Sequence, residues 1–99
     1  MNNQITLVHK PKKLSKKGRS LKLGTYSHYH HGDLYEVIGV AIHSHGNPEE
    51  EFVVYRELFK PGRLLVRRLS IFTSPAELNG HRVVRFMKVK NVTKKAKVI

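Results

Sequence analysis

"GTYSHYHHGDLYEVIGVAIHS", residues 24–44, decides how the chain folds. Its first part is rich in Tyr and Thr, and "HGD" at residues 31–33 combines the Gly and Asp that turn a backbone. A continuous apolar run follows. Two extended segments joined by such a turn predict a β-hairpin. The second segment, "LYEVIGVAIHS", is apolar at both alternating sets of positions, which suits a strand in the middle of a sheet. Gly39 supplies a bend or bulge there.

Working outward, "SHGNPEEE" at residues 44–51 reads as an exposed connection. "FVVYREL" at residues 52–58 reads as the next strand, with Val53, Tyr55, Glu57 and Phe59 on one face and Phe52, Val54, Arg56 and Leu58 on the other. "KPG" at residues 60–62 turns the chain into "RLLVRRL", where Leu65, Arg67 and Leu69 alternate with Leu64, Val66 and Arg68. Ser74 before Pro75 has the form of a helix N-cap followed by a first-turn proline, so a single helical turn is expected over Ser74-Pro75-Ala76-Glu77. "HRVVRFMKV", residues 81–89, reads as one final strand, with Val83, Arg85 and Met87 opposite Val84, Phe86 and Lys88. The expected fold is mainly β, a small barrel or roll of about five antiparallel strands with at most one short helical turn.

Ninety-nine residues accommodate one core. The absence of Cys excludes a disulfide framework and thiolate metal ligation. No apolar stretch approaches the ~20 residues that span a bilayer, and the N-terminus lacks a secretory apolar region, so a cytoplasmic protein without membrane association is expected. The net charge of +12 is unevenly placed. Residues 24–87 hold seven basic and seven acidic side chains, so the whole excess lies in the flanks. Lys10, Lys12, Lys13, Lys16, Lys17, Arg19 and Lys22 precede the neutral middle, and Lys88, Lys90, Lys94, Lys95 and Lys97 follow it. The expected organisation is a disordered basic tail over residues 1–22, a β domain over residues 23–89 and a second basic tail over residues 90–99.

Five histidines, His28, His30, His31, His43 and His45, lie within eighteen residues. An H-x-H pair on a strand sets two imidazoles about 6.5–7 Å apart along one face, which suits a zinc ion. A continuous strand from Leu34 to His43 would nevertheless separate the two groups by roughly 30 Å. No metal site or cofactor is therefore expected. The pairs that could serve catalysis, His43 with Ser44 and His28 with Glu36, together with the phenols of Tyr35 and Tyr55, form no recognised motif, and an enzyme is not expected.

The order "GTYSHYHHGDLYEVIGVAIHS…EEEFVVYRELF…LLVRRLSIF" resembles the bacterial family called domain of unknown function 1653, whose pattern runs G-x-Y-x-H-Y-K-G-x-x-Y-E-V-x-G-x-A-x-H-S…VVY-x-x-L-Y…R-P-x-x-M-F. The likeness covers residues 24–89. It implies an SH3-like barrel or roll and brings no catalytic residues. "HYHHG" is one residue longer than the family's "HYKG", leaving both His28 and Tyr29 available for its His position. Arg68 and Ile71 stand where the family has Pro and Met.

These features lead to a non-enzymatic domain that associates with nucleic acid, RNA or DNA. Lys10, Lys12, Lys13, Lys16, Lys17, Arg19, Lys94, Lys95 and Lys97 would attract phosphates without regard to sequence. His28, Tyr35, His43, Tyr55 and Arg67 are polar or aromatic where the strand pattern would accept plain apolar residues, and they would form the selective surface. The alternative is a protein-, peptide- or small-ligand-binding SH3-like module.

Overall fold

In the computed structural model, which describes residues 13–45 and 50–90, strand alternation builds one sheet with a buried face. The chain order is α1 (Lys16–Ser20), β1 (Gly24–His28), β2 (Leu34–Ile42), β3 (Glu51–Glu57), β4 (Leu64–Arg68), α2 (Leu69–Phe72), β5 (Pro75–Leu78), β6 (His81–Val84) and β7 (Phe86–Lys88). The main sheet has the order β4-β3-β2-β1-β7, and β5 and β6 form a separate hairpin. The expected β1–β2 hairpin is present, with Tyr26 opposite Tyr35 and Gly24 opposite Val37. The long apolar strand β2 is central, and its register to β3 shifts between Val37 and Gly39, where a bulge was expected.

Tyr26, Val37, Val53, Tyr55 and Phe86 project from one face and are buried beneath Leu69 and Phe72 of α2, with Leu21 packed at the side. Removing such surface from water supplies most of the drive to fold. The opposite face is less covered. Leu34, Ile38, Leu64, Val66 and Met87 are exposed, Val66 to 63%.

Three expectations are corrected. Among the described residues the sheet does not close into a barrel, because β4 and β7 sit at its two edges without pairing, and there are seven strands where about five were expected. The stretch read as one last strand divides at Arg85: β6 pairs only with β5, whereas β7 pairs with β1. Two short helices, α1 and α2, also stand where at most one helical turn was expected, and α2 lies upstream of Ser74. Leu69 and Phe72, one turn apart, both bury in the core, and the turn ends where Thr73 N–H and Oγ donate to Leu69 O and Ser74 Oγ donates to Ile71 O. Burial of that apolar pair outweighs the local Ser-Pro signal, and Pro75 instead begins β5 opposite Val84. Asn79 and Gly80, both with positive φ, then form the two-residue turn of the β5–β6 hairpin.

The described part of the basic N-terminal stretch contains a short helix fixed to the domain. Ser15 caps α1 by accepting from Gly18 N–H, and the Glu51 carboxylate accepts from Ser15 N–H at 2.7 Å and Ser15 Oγ at 2.8 Å. A Cβ on Gly18 would lie 2.5 Å from Glu51 Oε1, so glycine permits this approach. Lys22 O accepts from Tyr26 Oη at 2.6 Å. Residues 15–22 are thus tied to the domain at both ends of α1. Lys10 and Lys12, and Lys94, Lys95 and Lys97, lie outside the described residues.

Candidate nucleic-acid interface

Phe86 organises the inner face. Its ring stacks on Phe72 at 4.0 Å and 5°, and the rings of His28, Tyr55 and Tyr35 approach it edge-on at 4.9, 5.7 and 5.9 Å. The Arg67 guanidinium lies over the same ring, 5.4 Å from its centroid. Arg67 Nε also donates to Tyr55 Oη at 3.1 Å. Strand pairing explains the convergence, since His28 is opposite Phe86 while Tyr35 faces Glu57 and Tyr55 faces Leu65 across neighbouring strands. Tyr35 continues the aromatic surface outward to Phe59, with ring centroids 5.3 Å apart.

Four of the five surface residues singled out in the sequence, His28, Tyr35, Tyr55 and Arg67, therefore meet around one ring. His43 does not. It follows the far end of β2, eight residues from Tyr35 or about 26 Å of strand, and its ring neighbour is Phe52 at 6.1 Å. The His28–Glu36 pairing is not formed either, because His28 faces Phe86 while Glu36 is exposed on the opposite face beside Arg56. Ser44 Oγ lies 3.4 Å from Nδ1 of His45, its neighbour in sequence. Among the described residues, no three His, Asp or Glu side chains gather as metal ligands, and no helix is long and apolar enough to cross a membrane.

Two central participants, Phe72 and Phe86, escape a reading by strand pattern because each looks like ordinary core. No local signal separates them from plain core residues, because the cation over Phe86 is Arg67, nineteen residues earlier in the chain.

The surroundings of His28 disfavour its charged form. Burial disfavours its charged form first, then the positive charges of Arg67 and Arg85 and the neighbouring His30, with Asp33 acting in the opposite sense, so its pKa falls below the ordinary 6.5. His28 Nδ1 accepts the His30 N–H at 3.2 Å, which leaves the proton on Nε2. A folded state that resists protonation is fully stabilised above pH 6.5 and loses stability as the pH falls from there toward the folded pKa. An NMR titration should place the His28 midpoint below 6.5; a midpoint at or above 6.5 would contradict this environment. Burial also raises the Tyr35 pKa, with Asp33 adding to it, so the phenol stays protonated at neutral pH.

One edge of the surface is fixed by an ion pair. Glu57, whose side chain is 3% exposed, accepts from Arg63 N–H at 2.8 Å, from Arg63 Nε at 3.1 Å and from Arg63 Nη2 at 2.6 Å. The hydrogen bonds from the Arg63 side chain, then from its backbone, hold Glu57 below the usual 4.5. The same carboxylate raises the pKa of Arg63. The stabilisation is therefore complete above pH 4.5 and is lost as the pH falls through the lower folded value. Comparing acid denaturation of the protein with that of Glu57→Gln should show a shallower loss for the variant over that range, and identical profiles would disprove the linkage.

These features define a class: a small, open β domain with an aromatic and cationic inner face. The profile of the family described as "Protein of unknown function (DUF1653)" matches residues 24–88, and the chain belongs to that family. A crystal structure of a family member from Bordetella bronchiseptica is similar, with 27% identity and a TM-score of 0.63, covering 73% of this chain and 91% of that one. No curated protein matches the chain.

Proposed function

We propose that the protein is a non-enzymatic domain that associates with nucleic acid, its lysine-rich flanks giving affinity for phosphates and its inner face giving selectivity. The convergence of Tyr35, His28 and Arg67 on Phe86 carries this reading. Partly exposed rings offer π-faces on which unpaired bases stack, and a guanidinium beside them serves a base edge or a phosphate. His28 Nδ1 is occupied by the His30 N–H, so this nitrogen does not present the free lone pair of a general base. The SH3-like classification of the fold belongs to the same proposal. The open sheet resembles a roll with its β4 and β7 edges apart.

A protein-binding module is the second reading, favoured by the exposed apolar side chains of Leu34, Ile38, Leu64 and Val66. The test is titration of the full chain with a single-stranded RNA or DNA dodecamer. Stacking contributes about 1–3 kcal/mol per base, so Tyr35→Ala should weaken binding by roughly 5- to 150-fold with the fold intact. Arg67→Ala should act in the same direction. Unchanged affinity in both variants would assign binding to the flanks alone, and no binding by the parent chain would favour the protein-binding reading.

A further inference from the structure

The β5–β6 hairpin stands away from the main sheet and borders a cleft on each side. The first, of about 290 Å³, lies against Phe72, Ser74, Pro75 and Arg85; the second, of about 530 Å³, lies against His28, Tyr29, Leu78 and Met87. Arg82, Val83 and Val84 line both. Among the described residues neither lining includes a carboxylate, whereas the cleft beside α1 includes Glu50 and Glu51. The absence of acid in two adjoining clefts that share an arginine is a charge pattern suited to an anion.

Arg85 adds a more specific observation. Its Nη2 donates to Pro75 O at 3.1 Å, while its buried Nε has no hydrogen-bond partner among the described residues. The guanidinium lines the first cleft with its charge met only by a neutral carbonyl, so the site keeps a net positive charge. Arg82 is exposed. It stands opposite Glu77 in the hairpin register, and the two form no ion pair among the described residues. The lowered pKa of His28, to which Arg85 contributes, is consistent with a positive local field.

We propose that the cleft between Phe72, Pro75 and Arg85 binds the phosphate group of a nucleotide, with the exposed Arg82 guanidinium and the cleft-lining Arg85 guanidinium as its cations and Phe72 and Val84 as the apolar wall beside it. This rests on the nucleic-acid reading and deepens it, because the phosphate would be one carried by a strand whose bases lie across the adjoining Phe86 surface. The same chemistry would accept a free nucleotide, and the experiment separates the two sources.

The full chain is titrated with adenosine 5′-monophosphate, with adenosine and with a uridine dodecamer. The phosphate should tighten binding of the mononucleotide at least about tenfold relative to adenosine, the scale of a charge-assisted pair. Arg85→Gln and Arg82→Gln should each remove most of that advantage. If loss of the Pro75 contact unfolds Arg85→Gln, the exposed Arg82→Gln decides the matter. Equal binding of adenosine and its monophosphate, or an advantage that both folded variants retain, would overturn the cleft assignment. The dodecamer then distinguishes the failures: Tyr35-dependent dodecamer binding without a phosphate effect removes only the cleft, whereas mononucleotide binding without dodecamer binding supports the cleft and removes the nucleic-acid reading. A dodecamer weakened by Arg82→Gln identifies the strand phosphate as the source.

Discussion

Phe86→Ala should lower the free energy of unfolding by about 3–5 kcal/mol, the usual cost of deleting a buried aromatic side chain. Domains of this size have about 0.05–0.15 kcal/mol of stability per residue, so the loss consumes much or all of what is available. The effect is large because Phe86 is 6% exposed and touches side chains from every other strand of the main sheet as well as α2: His28, Tyr35, Tyr55, Arg67 and Phe72. β7 is only three residues long and is held to the sheet through β1, so little else anchors it. Urea denaturation of the two proteins measures the difference. A loss below about 1 kcal/mol would mean that the ring is not the centre of the packing.

Neutralising the flanks should have the largest effect on binding. If half of the twelve flanking cations contact phosphates, the logarithm of affinity falls against the logarithm of salt with a slope near −5 for duplex DNA. Changing Lys10, Lys12, Lys13, Lys94, Lys95 and Lys97 together to Gln removes half of those cations, so the slope should become shallower by about 2–3. At about 0.1 M salt the affinity should drop by roughly 10²–10³-fold. Fluorescence anisotropy at several salt concentrations reads both quantities. Because these charges flank a core with balanced charge, the substitutions should leave thermal unfolding nearly unchanged. An unchanged salt slope would place the phosphate contacts elsewhere.

Much of the fold is legible because alternation is a local signal. Val53, Tyr55 and Glu57 share a face in the sequence and are all buried in the structure, and the continuous apolar run of β2 marks the central strand. The bulge beside Gly39 and the turn at His31-Gly32-Asp33 are likewise local. Closure is not local: whether β4 meets β7 depends on how the chain divides at Arg85, and the strand pattern of "HRVVRFMKV" runs through that residue without a break. The upstream placement of α2 has the same origin, since the value of burying Leu69 with Phe72 depends on a sheet assembled from distant residues. The fixing of α1 depends on Glu51, thirty-six residues away from Ser15.

The candidate site was legible to the extent that its residues sat on the inward strand face. His28, Tyr35, Tyr55 and Arg67 were, and they converge. His43 was grouped with them by chemistry alone, and its position beyond the end of β2 removes it. Phe86 and Phe72 were hidden because an apolar aromatic in a strand or short helix signals burial whether or not cations gather around it. Arg85 was hidden because its unpaired Nε becomes visible only when the β5–β6 hairpin is in place.

The most direct test of the account is amide and side-chain NMR of the full chain during titration with a single-stranded dodecamer. The account predicts shifts at His28, Tyr35, Arg67 and Phe86 that survive neutralisation of the lysine flanks at higher dodecamer concentration. Shifts confined to Leu34, Ile38, Leu64 and Val66 on the opposite face, or to the flanks alone, would contradict it.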